Sequence, residues 1–164
     1  MDLIGSFLVF AALLCSLVAG FLFAFAVVVM PGIGTLNDLE FLKAFKAIDG
    51  VIQKNQPVFI IVWVGSVLAA IGAGVLSVWQ MDGLDRVMVI TAAAVYIMGV
   101  QVPTVVFNIP LNNRLQALDL DDMSEPELTE ERRLFEIPWI RWNLIRTVVA
   151  TFASAVFIIA ALKF

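Results

Sequence analysis

Arg146 stands three residues after Asn143 in the segment Trp142-Asn143-Leu144-Ile145-Arg146-Thr147, at the head of an apolar run. Trp139 lies four residues before Asn143, so Trp139, Asn143 and Arg146 fall at i, i+4 and i+7, one stripe of a helix. A guanidinium carries five N–H donors and no acceptor, and an amide adds donors of its own. Donors of this kind stabilise an oxyanion, and indole rings stack on flat apolar molecules. A second polar pair, Asn108 and Asn112, flanks Pro110 earlier in the chain. There is no histidine anywhere. That removes the commonest metal ligand, the commonest haem ligand and the usual neutral-pH base together, and it excludes a histidine-ligated haem or copper centre. The expected metal and cofactor complement is none.

These groups belong to a membrane chain. The 164 residues are 62% hydrophobic and 15% charged, with a mean hydropathy of +0.99, whereas soluble domains are roughly 45–50% apolar and about 25% charged. Four runs are long enough for the ~20 residues that cross hydrocarbon: Leu3–Val29, Val58–Trp79, Val87–Phe107 and Trp142–Leu162. The first begins without a basic segment and is too long for a signal peptide, so it reads as a retained span. Net charge is −4 with no basic block, which makes nucleic acid an unsuitable partner. Cys15, the single cysteine, is expected to be a small packing residue.

The connections must place the polar groups. Pro31-Gly32 is expected to end the first helix. Residues 37–54 then read as an amphipathic helix with Phe41, Phe45, Ile48 and Ile52 on one face, lying at the interface or capping a cavity. Gln80–Arg86 closes the second and third spans into a hairpin. Pro110 is expected to break or kink the third helix. Ser124 and Glu127 have capping-box spacing and should start a short acidic helix ending near Pro138. Its carboxylates read as a solvated face, because no loop pattern for a hard cation is present. Small residues at four-residue spacing, Ala12-Ser16-Gly20-Ala24 and Gly65-Ala69-Ala73, are expected to let helices approach closely. The two long connections hold Lys43, Lys46, Lys54, Arg114, Arg132, Arg133 and Arg141, against Arg86 and Lys163 on the other side. The positive-inside rule then puts those connections in the cytoplasm and both termini outside.

The third and fourth spans end on the same side, so the asparagines and the arginine can meet there. One structural reading is that Arg146 donates to carbonyls freed at the proline and staples two helices. Another is that Arg146 snorkels to headgroups, with Trp139 and Trp142 as interfacial anchors. The third is a polar-floored pocket. In that reading Asn108, Asn112, Asn143 and Arg146 form the floor and the pocket binds a ligand.

The segments Pro31-Gly32, Asn55-Gln56-Pro57-Val58-Phe59, Asn108-Ile109-Pro110-Leu111-Asn112 and Trp142-Asn143-Leu144-Ile145-Arg146-Thr147, in this order and with an acidic spacer, resemble the anthrone-oxygenase-like family of four-helix membrane proteins. The resemblance runs from about Phe21 to the C-terminus; Lys46 and Asp49 stand where the family pattern leads one to expect amides. It implies insertion of oxygen into an anthrone without metal or flavin. The anthrone loses a proton, and the enolate itself reduces dioxygen. The resemblance assigns oxyanion stabilisation to Arg146, Asn108, Asn112 and Asn143 and stacking to the two tryptophans. Asp49 can take the proton if the amphipathic helix folds over the pocket.

The expectation is therefore an all-α integral membrane four-helix bundle, a single transmembrane domain over residues 1–164, with an interfacial helix after the first span and a short acidic helix before the fourth. It binds a flat hydrophobic aromatic molecule and oxygenates it. The alternative is a non-enzymatic structural or accessory subunit of a membrane complex, or a homo-oligomer holding lipid or pigment. The expected partners are membrane lipid, a hydrophobic small molecule, and further copies or a larger membrane complex. The expected location is the inner (cytoplasmic) membrane of a bacterium. Transport is disfavoured, since no span has a midplane charge or an inverted repeat.

Overall fold

Four helices begin where the sequence supplies a cap. Asp2 accepts from the Gly5 N–H at 2.9 Å, Asn37 from Glu40 at 2.9 Å and Gln56 from Phe59 at 2.6 Å, while the Ser124 N–H donates to the Glu127 carboxylate at 2.8 Å. Such contacts satisfy donors that the first turn leaves without partners. The computed structural model describes residues 2–163, and its regular structure is entirely helical. The helices are α1 (Leu3–Ile33), α2 (Asp38–Gln53), α3 (Pro57–Gln80), α4 (Gly83–Ala117) and α5 (Glu125–Ala161). All but α2 are long and apolar enough to cross a membrane. In the bundle α1 packs on α3 and α5, and α4 packs on both of those.

The first helix ends at Ile33, one residue past Pro31-Gly32 as expected, but the break expected at Pro110 is overturned, because α4 runs on to Ala117. Five-residue π-turns at Phe25–Val29, Ile97–Gln101 and Thr104–Asn108 sit just upstream of Pro31, Pro103 and Pro110. In each, the residue before the proline donates its N–H five residues back: Met30 to Phe25, Val102 to Ile97, Ile109 to Thr104. Proline has no N–H for the carbonyl four residues back, and its ring strikes that carbonyl in an α-helix. A wider turn shifts the carbonyl aside and the helix continues. Pro138 also lies inside α5, so the acidic segment is the first part of the fourth span's own helix rather than a separate one.

Length has a structural consequence. At about 1.5 Å per residue, the 35 residues of α4 and 37 of α5 extend roughly 50–55 Å, well past a ~30 Å hydrocarbon core. The chain therefore builds two apolar cores. One fills the bundle with Leu8, Cys15, Ala70, Ala73, Tyr96 and Phe157 among others. The second is aromatic and lies at the end bearing the long connections: Phe25, Phe41, Phe45, Phe135 and Trp139, closed by α2. Arg132 clasps this end. It donates to Gly34 O (2.9 Å), Leu36 O (2.9 Å), Asp38 (3.1 Å) and Glu136 (2.8 Å), with its guanidinium 4.3 Å from the Phe41 ring centre.

Of the small-residue stripes, Ala69 and Ala73 are buried as expected. The first-span stripe is not the packed face: Gly20 is exposed, and α1 instead buries Ile4, Leu8, Ala11, Cys15, Val18 and Leu22. Among the glycines, the tightest packing is at Gly72, where an added Cβ would lie 2.2 Å from the Phe7 ring.

Candidate active site

Arg146 does not snorkel. It is 4% exposed, about one turn inside the boundary set by the last ~20 residues of α5. Its Nη1 donates to Thr104 Oγ1 at 2.8 Å and its Nη2 to Asn143 Oδ1 at 3.2 Å. Asn143 in turn donates from Nδ2 to Leu22 O at 3.1 Å, a carbonyl three residues before the first π-turn, where the helical bond register changes. Arg146 Nε and Asn108 Oδ1 are both buried without a partner. None of the ion pairs among the described residues involves Arg146. A buried guanidinium is therefore held by neutral acceptors alone, with donors left over.

These groups floor a cavity of about 350 Å³ at the junction of the two cores, within the size range of small-molecule pockets. Phe21, Phe25, Phe45, Phe59, Trp63 and Trp139 form its apolar wall. Phe59 and Trp63 are stacked, with centres 5.2 Å apart and planes 25° apart, and Trp63 Nε1 is fixed on Gln101 Oε1 at 2.9 Å. The four polar candidates Asn108, Asn112, Asn143 and Arg146 all line this one space. Asn143 and Arg146 bond directly, whereas Asn108 and Asn112 join through Trp139. Asn108 Nδ2 donates at 3.5 Å to Trp139 O, and Trp139 Nε1 donates to Asn112 Oδ1 at 2.9 Å.

The roof is α2. Burial of Phe41, Leu42 and Phe45 against the aromatic core turns its polar edge over the cavity and brings in Asp49, 4% exposed. This carboxylate accepts from Asn112 Nδ2 (2.8 Å), Gln116 Nε2 (2.9 Å) and Gln53 Nε2 (3.3 Å). Asp49 has no cation partner among the described residues either. The cavity thus holds a carboxyl group and a guanidinium that are not paired with each other. Each is held in place by amides and hydroxyls.

Two sequence expectations change. Trp142 does not line the cavity; it is stacked on Phe107, centres 3.8 Å apart and planes 7° apart, because the rotation of α5 that buries Trp139 and Asn143 turns the residue between them outward. Asn112 has both amide atoms engaged, by Asp49 and Trp139, so it positions those two groups. Thr104, Gln53 and Gln116 were not singled out. The signal was available: Thr104, Asn108, Asn112 and Gln116 repeat every fourth residue, a single stripe for a helix that continues past Pro110.

Fold and site together define a helical integral membrane protein with a polar-floored, aromatic-walled cavity under an amphipathic roof. The chain belongs to the anthrone oxygenase family, whose model matches residues 45–156. The match begins at Phe45 in the roof and includes every polar side chain of the site described above. No curated protein and no solved structure matches the chain.

Proposed function

We propose that the protein binds a flat aromatic ketone of the anthrone class and oxygenates it with dioxygen, using no metal or flavin. The observation that carries this is the unpaired Arg146 guanidinium, facing the same cavity as an unpaired Asp49 carboxylate. Asp49 takes a proton from the ring carbon opposite the ketone, giving an enolate whose oxygen sits on the Arg146 donors. A positioned base of this kind contributes about 10²–10⁴-fold. The enolate supplies the electron pair that reduces dioxygen. A C–O bond forms at the deprotonated carbon, then the O–O bond breaks as the second C–H proton leaves. One oxygen atom ends as the new ring carbonyl and the other as water. The aromatic wall orients the ring and keeps water from the charges, which strengthens their action.

The test is oxygen uptake by the purified protein with an anthrone, measured beside uncatalysed autoxidation. Equal rates with and without protein across a panel of hydroxylated anthrones reject an oxygenase. The second reading, a homo-oligomer or subunit of a larger membrane complex, draws on a lipid-facing groove between α1 and α5. Gly20, Phe23, Thr151 and Ser154 line it, and Ser154 Oγ has no partner. Its own positive sign is a stable assembly larger than one chain in detergent or nanodiscs.

A further inference from the structure

One side of the cavity is not closed by packing. On the α1–α5 side Asn143 donates to Leu22 O across the longest helix contact in the bundle. Above, α2 is tied to α4 through Asp49 and Gln116. Between α3 and α4 the arrangement differs. These helices pack along Gly83–Tyr96, at the hairpin end, and the last hydrogen bond joining them is Trp63 to Gln101. From there towards the site, among the described residues, none connects them. Phe59 on α3 and Ile109 on α4 line the cavity from the two sides of this gap. The outer lip is apolar: Ile109 is 42% exposed and Val105, one turn deeper on the same helix, 62%. At its upper end the exposed Gln53, Asn55 and Asn113 also line the cavity, and Gln53 Nε2, on α2, donates to Asn113 Oδ1 at 3.0 Å.

We propose, building on the cavity as an aromatic-ketone site, that its ligand arrives from the bilayer hydrocarbon through this α3–α4 fissure. The substrates are accordingly neutral, membrane-dissolved ring systems and not their water-soluble conjugates. A flat ring can slide edge-on between two helices that diverge, and its apolar faces never meet water. The route also leaves the roof intact, so Asp49 and Arg146 remain shielded throughout loading. The hydrogen-bonded roof and the apolar lip both favour lipid over water as the source.

The experiment uses the full chain in liposomes, with anthraquinone and anthraquinone-2-sulfonate as non-reacting probes. Binding is followed by quenching of tryptophan fluorescence in stopped flow. Val105→Trp fills the outer lip without touching the cavity lining, and its lipid exposure lets it fold; thermal unfolding checks this. The expected result has three parts. Wild type binds anthraquinone. The sulfonate, held in water by its charge, loads at least 100-fold more slowly. Val105→Trp slows both association and dissociation of anthraquinone about tenfold or more, with Kd within twofold. Equal loading of the sulfonate, or unchanged anthraquinone rates in Val105→Trp, overturns the fissure while leaving the binding site standing. Failure of both probes to bind wild type removes the site itself.

Discussion

Replacing Arg146 with methionine separates catalysis from stability. The side chain spends two of five N–H groups on Thr104 and Asn143, so the variant leaves Asn143 Oδ1 without a donor. Thr104 Oγ1 keeps its bond to Val100 O at 2.7 Å. Hydrogen bonds inside membrane helical proteins average about 0.6 kcal/mol by double-mutant cycles. Against this loss, the variant also removes a buried charge with no carboxylate on it, and apolar replacement of buried ions is often neutral or stabilising. The two effects oppose, so the net stability change should stay within roughly 1 kcal/mol. Transition-state stabilisation has no such compensation. Loss of an oxyanion donor set should cost about 3–4 kcal/mol, or 10²- to 10³-fold in rate. The assay is oxygen consumption and formation of the ring dione with an anthrone in nanodiscs, alongside thermal unfolding of the same samples. A variant that melts like wild type and turns over within threefold of it would refute the role given to Arg146. A variant that merely fails to fold would refute the stability half of the reasoning.

Asp49→Asn keeps the size of the side chain but removes the proton acceptor and sets an amide N–H against the donors of Asn112, Gln116 and Gln53. Turnover should fall about 10²–10⁴-fold, and stability by about 1–3 kcal/mol from the buried donors left unpaired, read by kinetics and by thermal melting. Arg132→Met removes the clasp on Gly34 O, Leu36 O and Asp38 and should loosen α2, seen as faster hydrogen exchange across Asp38–Gln53 with the transmembrane helices unchanged. The Thr129 hydroxyl, followed by Arg132, holds the Asp38 carboxyl below the usual range. A carboxyl lowered by folding contributes stability that is present above its unfolded value and lost as pH falls through the folded one. Acid melting curves should therefore lose this increment only below the ordinary aspartate range, and Asp38→Asn should remove that part of the slope.

Much of the architecture is local and so was legible. Four apolar runs can satisfy their backbone in hydrocarbon only as helices. The capping box at Ser124 and the Phe41-Phe45 face are written over a few residues, and the seam of Trp139, Asn143 and Arg146 follows from helical period alone. Tertiary structure decided the rest. Proline forbids one hydrogen bond locally, but whether the chain then breaks or widens into a π-turn depends on what packs beside it. Before Pro31, Pro103 and Pro110 the folded chain takes the wide turn. That choice lengthened α4, carried the Thr104-Asn108-Asn112-Gln116 stripe under the roof, and gave Asp49 its amide cage. Helix rotation, likewise invisible in a window of sequence, sent Trp139 into the cavity and Trp142 onto Phe107. Composition and period fix which face of a helix is polar. Only the packing of five helices against one another fixes what that face meets.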